Sequence, residues 1–190
     1  MAELIALFIL CIAVLGIVAT YMLYPAYQLL FPGKEPIFTE LKEFPKVSIL
    51  FAAYNEAGIL EEKLDSILKT DYPNSKLEVI VGSDQSTDGT DEIVQRFHVS
   101  HPNIKLFRTS KRSGKSAIMN MLAEQASGEV IIGTDANIIF QTSTIKELVA
   151  PLSNESVGAV AGALSYQGAV ANSTSKSETN YLSLENKIRK

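Results

Sequence analysis

Between Glu3 and Lys34 the chain carries no charged residue, and Leu4–Leu23 is an apolar run of twenty residues broken only by Gly16, Thr20 and Tyr21. A helix rises about 1.5 Å per residue, so this run reaches about 30 Å, the hydrocarbon thickness of a bilayer. Tyr21, Tyr24 and Tyr27 form an aromatic belt for one interface, and Pro25 falls where a helix would leave the hydrocarbon. A cleaved signal peptide fits less well: no positive residue precedes the run, and the run is too long for an h-region. A buried core helix fits less well too, since few are apolar on every face. The pattern predicts a transmembrane anchor over residues 1–31. Lys34, Lys42 and Lys46 follow the run and no Lys or Arg precedes it. The positive-inside rule then predicts a single-pass protein of the cell membrane with its globular part in the cytoplasm.

The remainder has the length of one domain. The full chain of 190 residues has a net charge of −4, which offers no basic surface for nucleic acid. A single Cys, Cys11, excludes an internal disulfide framework, so a buried core must hold the fold. Pro32, Gly33, Pro36 and Pro45 mark residues 32–45 as a linker and leave 46–190 as the domain.

Within it, strand and helix patterns alternate. Val47–Ala53 is a short apolar run suited to a strand buried on both faces. Leu60, Leu64, Ile67 and Leu68 then recur at helical spacing, before a strand over Leu77–Val81. Ile93, Val94 and Phe97 mark a second helix, Ile104–Phe107 a third strand, and Ile118, Met121 and Leu122 a third helix ended by Gly128. Glu129–Gly133 reads as a fourth strand, Thr144–Leu152 as a helix and Val157–Leu164 as a fifth strand. Asn172–Ser177 reads as loop, and Glu178, Tyr181, Glu185 and Arg189 recur at helical spacing. This order predicts an α/β fold, a mostly parallel sheet covered by helices.

In such sheets ligands bind beyond the carboxyl ends of the strands. There this chain places Ala53-Tyr54-Asn55-Glu56, then Asp84 through Thr90, then Lys111 through Ser116, then Thr134-Asp135-Ala136-Asn137. Each has a structural reading alone: Asp88 is a good N-cap for the second helix, and Asp135 and Asn137 are turn formers. All four on one sheet edge point to chemistry. A diphosphate needs positive charge and free N–H groups at a helix start, which Gly114 and Lys115 offer. A hard divalent cation needs oxygen ligands, which Asp135 and Asn137 offer, with phosphates and water completing the shell. Asp84 and Glu56 supply acceptors for a base and ribose.

Val47 through Glu56, Gly82 through Thr90, Gly114-Lys115 and Thr134 through Asn137, in that order and spacing, resemble the motifs of family 2 glycosyltransferases with a GT-A fold, which include membrane-bound polysaccharide synthases. The resemblance covers residues 45–190. It implies a Rossmann-like GT-A domain, a nucleotide-sugar donor, usually UDP-linked, Mg²⁺ or Mn²⁺, a saccharide or lipid-linked acceptor, and inverting transfer. Carried onto this sequence, Ala53, Tyr54 and Glu56 contact the nucleoside, Asp84 holds the base, Lys115 lies near the diphosphate, and Asp135 with Asn137 is the metal site. Three positions depart from the family pattern: Ser83 replaces the first Asp of a D-D pair, Gln85 a Gly, and Asn137 a second carboxylate. The chain has no Trp, so the Q-x-x-R-W acceptor motif is absent from it. The resemblance places the catalytic base beyond Lys190, on a remaining C-terminal part of the enzyme, with Glu178 and Glu185 as helix surface. The chain then reads as a donor-binding half.

Two alternatives stand beside this. One is a non-catalytic anchored subunit that binds a nucleotide sugar. The other is a P-loop hydrolase, since Gly114-Lys115-Ser116 follows a strand and opens a helix; against it, Thr109 stands where that loop needs its first glycine.

Overall fold

Strand β1, Val47–Ala53, is apolar except for Ser48 because it is covered on both faces, and all but Ala52 are buried. The computed structural model describes residues 1–31, 41 and 43–164. Around β1 lie β2 (Leu77–Ser83), β3 (Ile104–Arg108) and β4 (Val130–Gly133), in the spatial order β3-β2-β1-β4. Every pairing is parallel, with Val47 opposite Leu77 on one side and Val130 on the other. The sequence pattern predicted these four strands.

The chain divides into two compact units, each described by itself. One carries the apolar helix: α1 (Ala2–Val18), a π-turn over Ala19–Leu23 and α2 (Tyr24–Leu30). Pro25 lies at the second position of α2 and has no N–H for the ladder, which accounts for the widened turn before it. Glu3–Tyr27 is long and apolar enough to cross a membrane, and none of it is buried.

The other unit, Phe38–Val160, holds the sheet. On one face α3 (Ala57–Leu68) and α4 (Thr90–Ser100) bury Leu60, Leu64, Ile67 and Val94 against Ile49, Phe51, Val79 and Val81. On the other face α5 (Lys115–Gln125) sets Ile118 and Leu122 against Leu50 and Ile80. A further helix, α6 (Thr144–Val149), continues as a 3₁₀ turn over Ala150–Ser153, where Pro151 ends regular α-helix bonding.

Two sequence expectations are corrected. Val157–Leu164 forms no strand: it is mostly exposed and pairs with no strand among the described residues. The helix read as ending at Gly128 ends at Gln125. Gly128 is needed for a close approach instead, since a Cβ there would meet the Ser48 amide nitrogen at 2.5 Å. The linker's end is docked: Tyr72 donates its hydroxyl to the Pro45 carbonyl at 2.7 Å, and Phe44 packs edge-on against the Tyr72 ring. Residues 32–40, 42 and 165–190 lie outside the described residues, and with them the rest of the linker and the C-terminal helical pattern.

The amino edge of the sheet is tied by one carboxylate. Buried Glu78 accepts from the Ser48 hydroxyl at 2.6 Å, the Ser127 amide and hydroxyl at 2.9 Å, and Lys105 at 2.7 Å. Burial alone would raise its pKa, but the donors outweigh burial and hold it at about 2 instead of its ordinary 4.5. A depressed carboxylate contributes stability that is present above the unfolded value and lost as pH falls toward the folded one. Urea unfolding should show stability falling between pH 4.5 and about 2. The Glu78→Gln variant should lose that part of the pH dependence.

Candidate functional site

The sheet order reverses beside β1: the chain moves from β1 to β2 and β3 on one side, then crosses to β4 on the other. Such a switch point opens a crevice at the carboxyl ends of the strands, here β1 and β4. The segments that leave these ends are laced together by short polar bonds.

After β1, Asn55 takes a left-handed backbone with φ 56°. Its side chain accepts from the Thr87 amide at 2.9 Å, and its own amide donates to the Ser86 hydroxyl at 3.2 Å. The Glu56 amide donates to the Thr90 hydroxyl at 3.0 Å, and the Ala57 amide to Asp88 at 3.0 Å. Asp88 also accepts from the Thr90 amide and hydroxyl, so it ties together the starts of α3 and α4. The Thr90 hydroxyl, then the Ala57 amide, hold its carboxyl below the usual range. Gly89, not Asp88, occupies the N-cap position of α4.

After β2, Asp84 is buried, and its amide donates to the Ala53 carbonyl at 2.9 Å. Its carboxylate accepts from the Ser113 amide at 2.8 Å, the Gly114 amide at 3.0 Å and the Thr109 hydroxyl at 3.4 Å, with Arg112 at 3.5 Å. The Ser113 amide first, then Gly114 and Arg112, lower its pKa. One carboxylate therefore shapes the whole 109–114 loop. Gln85 beside it is left-handed, with φ 64°, and its side chain donates to the Thr109 carbonyl. Glycine takes such a backbone without strain. Ser83 is fully buried.

This loop corrects one expectation. The Gly114 amide is bound to Asp84 and is not free to receive a phosphate. The same bonds exclude the P-loop reading, which needs those loop amides turned toward a nucleotide. Gly114, with φ 80°, starts α5 and delivers Lys115 to the edge.

There Lys115 pairs with Asp135 just after β4; both are about half exposed or more. Contacts thus run from Ala53 through Asp84 and Gly114 to Lys115 and Asp135. Tyr54 joins through Arg112, whose guanidinium lies 3.6 Å from its ring centre and also faces Asp84. Glu56 is half-buried at the N-cap of α3, and Asn137 is exposed two residues beyond Asp135. An accessible carboxylate that already draws a cation, with an amide nearby, suits a hard divalent ion that takes most of its shell from phosphate and water. Among the described residues no cluster of three acidic, His or Cys side chains offers a fuller protein cage.

The sequence put Asn55 and Arg112 at the strand ends but gave them no role of their own, since those roles depend on loop geometry. Sequence reasoning missed Lys63, although a lysine on the Leu60–Leu64–Ile67 face was a visible irregularity.

Residues 48–190 match the model of glycosyl transferase family 2. The chain belongs to that family. The probable glycosyltransferase YdaM of Bacillus subtilis is 36% identical over 126 residues, covering 64% of this chain and 30% of YdaM. The mannosyltransferase PcManGT from Pyrobaculum calidifontis, solved with GDP-Man and Mn²⁺, superposes with a TM-score of 0.64 at 32% identity, over 76% of this chain and 44% of that one. Staphylococcus aureus TarS, a poly(ribitol-phosphate) beta-N-acetylglucosaminyltransferase, is 31% identical over 106 residues, 55% of this chain and 18% of TarS. Its 1–349 structure with UDP-GlcNAc gives a TM-score of 0.52 over 55% of this chain and 30% of that one. The fold of this family 2 chain is GT-A, and it spans about a third of the length of the curated relatives it matches, 30% to 39% for the first three.

Asp84 tests the loop directly. In Asp84→Ala the amides of Ser113 and Gly114 lose their buried acceptor, and hydrogen exchange at both should speed up while β1 amides stay protected.

Proposed function

We propose that this chain is the donor-binding part of an inverting glycosyltransferase that takes a nucleotide-diphosphate sugar, a UDP-sugar, with Mg²⁺ or Mn²⁺. The observation that carries the reading is the pairing of Lys115 with Asp135 at the switch point, one charge suited to each half of a metal diphosphate. Lys115 then faces the diphosphate, while Asp135 and Asn137 face the metal. Tyr54 presents its ring to the base, with Ala53, Glu56 and Asp84 around the nucleoside. A divalent cation bound there would neutralise charge on the leaving diphosphate. The chain's own part is to hold the donor in line and to keep its loops fixed while it binds. The family, the relatives' bound nucleotide sugars and the apolar helix support a role in making a cell-surface polysaccharide or glycolipid. The partners in this reading are the donor, a saccharide or lipid-linked acceptor and the membrane. No base is assigned among the described residues.

Calorimetry on the full chain tests donor and metal together. UDP should bind more tightly with Mn²⁺ than with chelator by about tenfold or more, the scale of one charge-assisted contact. Asp135→Ala should abolish that difference. UDP affinity indifferent to chelator would sink the metal assignment, and GDP preferred to UDP would overturn the choice of nucleotide.

The positive-inside rule supports a cytoplasmic sheet domain. Protease added to intact cells should leave residues 46–160 uncut, and cleavage there would reverse the orientation.

A further inference from the structure

Lys63 has no role in the donor reading, yet it is fully buried, in the middle of α3 and on the same face as Leu60, Leu64 and Ile67. A buried lysine is unfavourable unless its charge is matched. None of the ion pairs among the described residues includes Lys63. Its ammonium instead donates to the Ile138 carbonyl and, at 3.2 Å, to the Thr134 hydroxyl. It also sits 4.0 Å from the centre of the Phe140 ring and 5.7 Å from that of Phe51. Apart from Phe51, every one of these partners belongs to the segment that leaves β4. Thr134 and Ile138 bracket Asp135 and Asn137.

Resting on the donor reading above, we propose that Lys63 is a positioning residue for the metal site: from beneath the 134–138 segment it fixes the backbone that presents Asp135 and Asn137.

The rest of that segment is lightly tied. The Thr134 amide donates to the Leu50 carbonyl at 3.0 Å, and Ile138 closes a turn on the Asp135 carbonyl at 3.2 Å. Beyond the turn, the Phe140 amide donates to the Ser66 hydroxyl at 3.1 Å. Lys63 and Ser66 lie three apart on one helix, so a single turn of α3 grips the segment on both sides of the turn. Burial lowers the Lys63 pKa to about 7, and the charge of Asp135 opposes that shift. The burden of a buried cation is out of proportion to any gain in core packing, where an apolar side chain of equal length would serve better. What a lysine adds is several donors at the end of a long arm, and these meet the loop. Losing a group that orients a metal's ligands from behind typically costs about 10–100-fold in metal affinity.

The test is Lys63→Met in the full chain, read by Mn²⁺ titration at saturating UDP, by UDP binding in chelator and by thermal unfolding. The thermal midpoint should hold or rise, and metal-free UDP binding should be unchanged. Half-saturation by Mn²⁺ should need roughly tenfold more metal, or beyond. Thr134→Val, which removes one acceptor outside the helix, should shift the Mn²⁺ titration the same way by less. An unchanged Mn²⁺ affinity in Lys63→Met overturns the proposal. So does a rise in affinity, which the loss of a like charge near the cation would give by itself. If Lys63→Met fails to fold, an unchanged Thr134→Val overturns it as well. A wild-type chain that shows no Mn²⁺ dependence overturns the metal reading and this inference with it. Mn²⁺ dependence in the wild type beside an unaltered Lys63→Met overturns the role of Lys63 alone.

Discussion

The parallel direction of the four strands is the constraint on which the rest depends. Parallel neighbours must be joined by crossovers, so helices fall on both faces and bury all of β1 but Ala52. The same geometry sends every outgoing segment to one edge. Tyr54, Asp84, Lys115 and Asp135 are scattered through the sequence, yet none has to travel far to share that edge. The opposite edge receives only incoming segments, and there Glu78 gathers Ser48, Lys105 and Ser127 into a knot that contains no residue of the proposed site.

The four strands and the helices between them were legible because their signals are local. Val47–Ala53 is apolar but for Ser48, as suits a strand covered on both faces, and α3 and α4 show helical spacing. Val157–Leu164 carries similar apolar residues but is mostly exposed. Strand formation is decided by a partner, and composition holds no information about whether one is present.

The proposed site was legible as a set of motifs and much less so as a set of contacts. Asp84 stood out in sequence as an acceptor, but its engagement with Ser113 and Gly114 depends on how the 109–114 loop folds back across β2. Arg112 reads as one more basic residue until its guanidinium is found over the Tyr54 ring. Lys63 is the instructive case. A charge on the apolar face of a helix contradicts the pattern around it, and such contradictions tend to mark places where folding yields to function.

The 109–114 loop has the amide arrangement of an anion site, and its anion is the chain's own Asp84. A loop wrapped around an internal carboxylate has its shape before any ligand arrives. The conformational entropy of ordering it is met when the protein folds, so binding of the proposed donor would spend no free energy on it. Lys115, at the end of that loop, is therefore presented at the sheet edge at equilibrium, and association there resembles docking to a rigid surface more than the closing of a flexible arm.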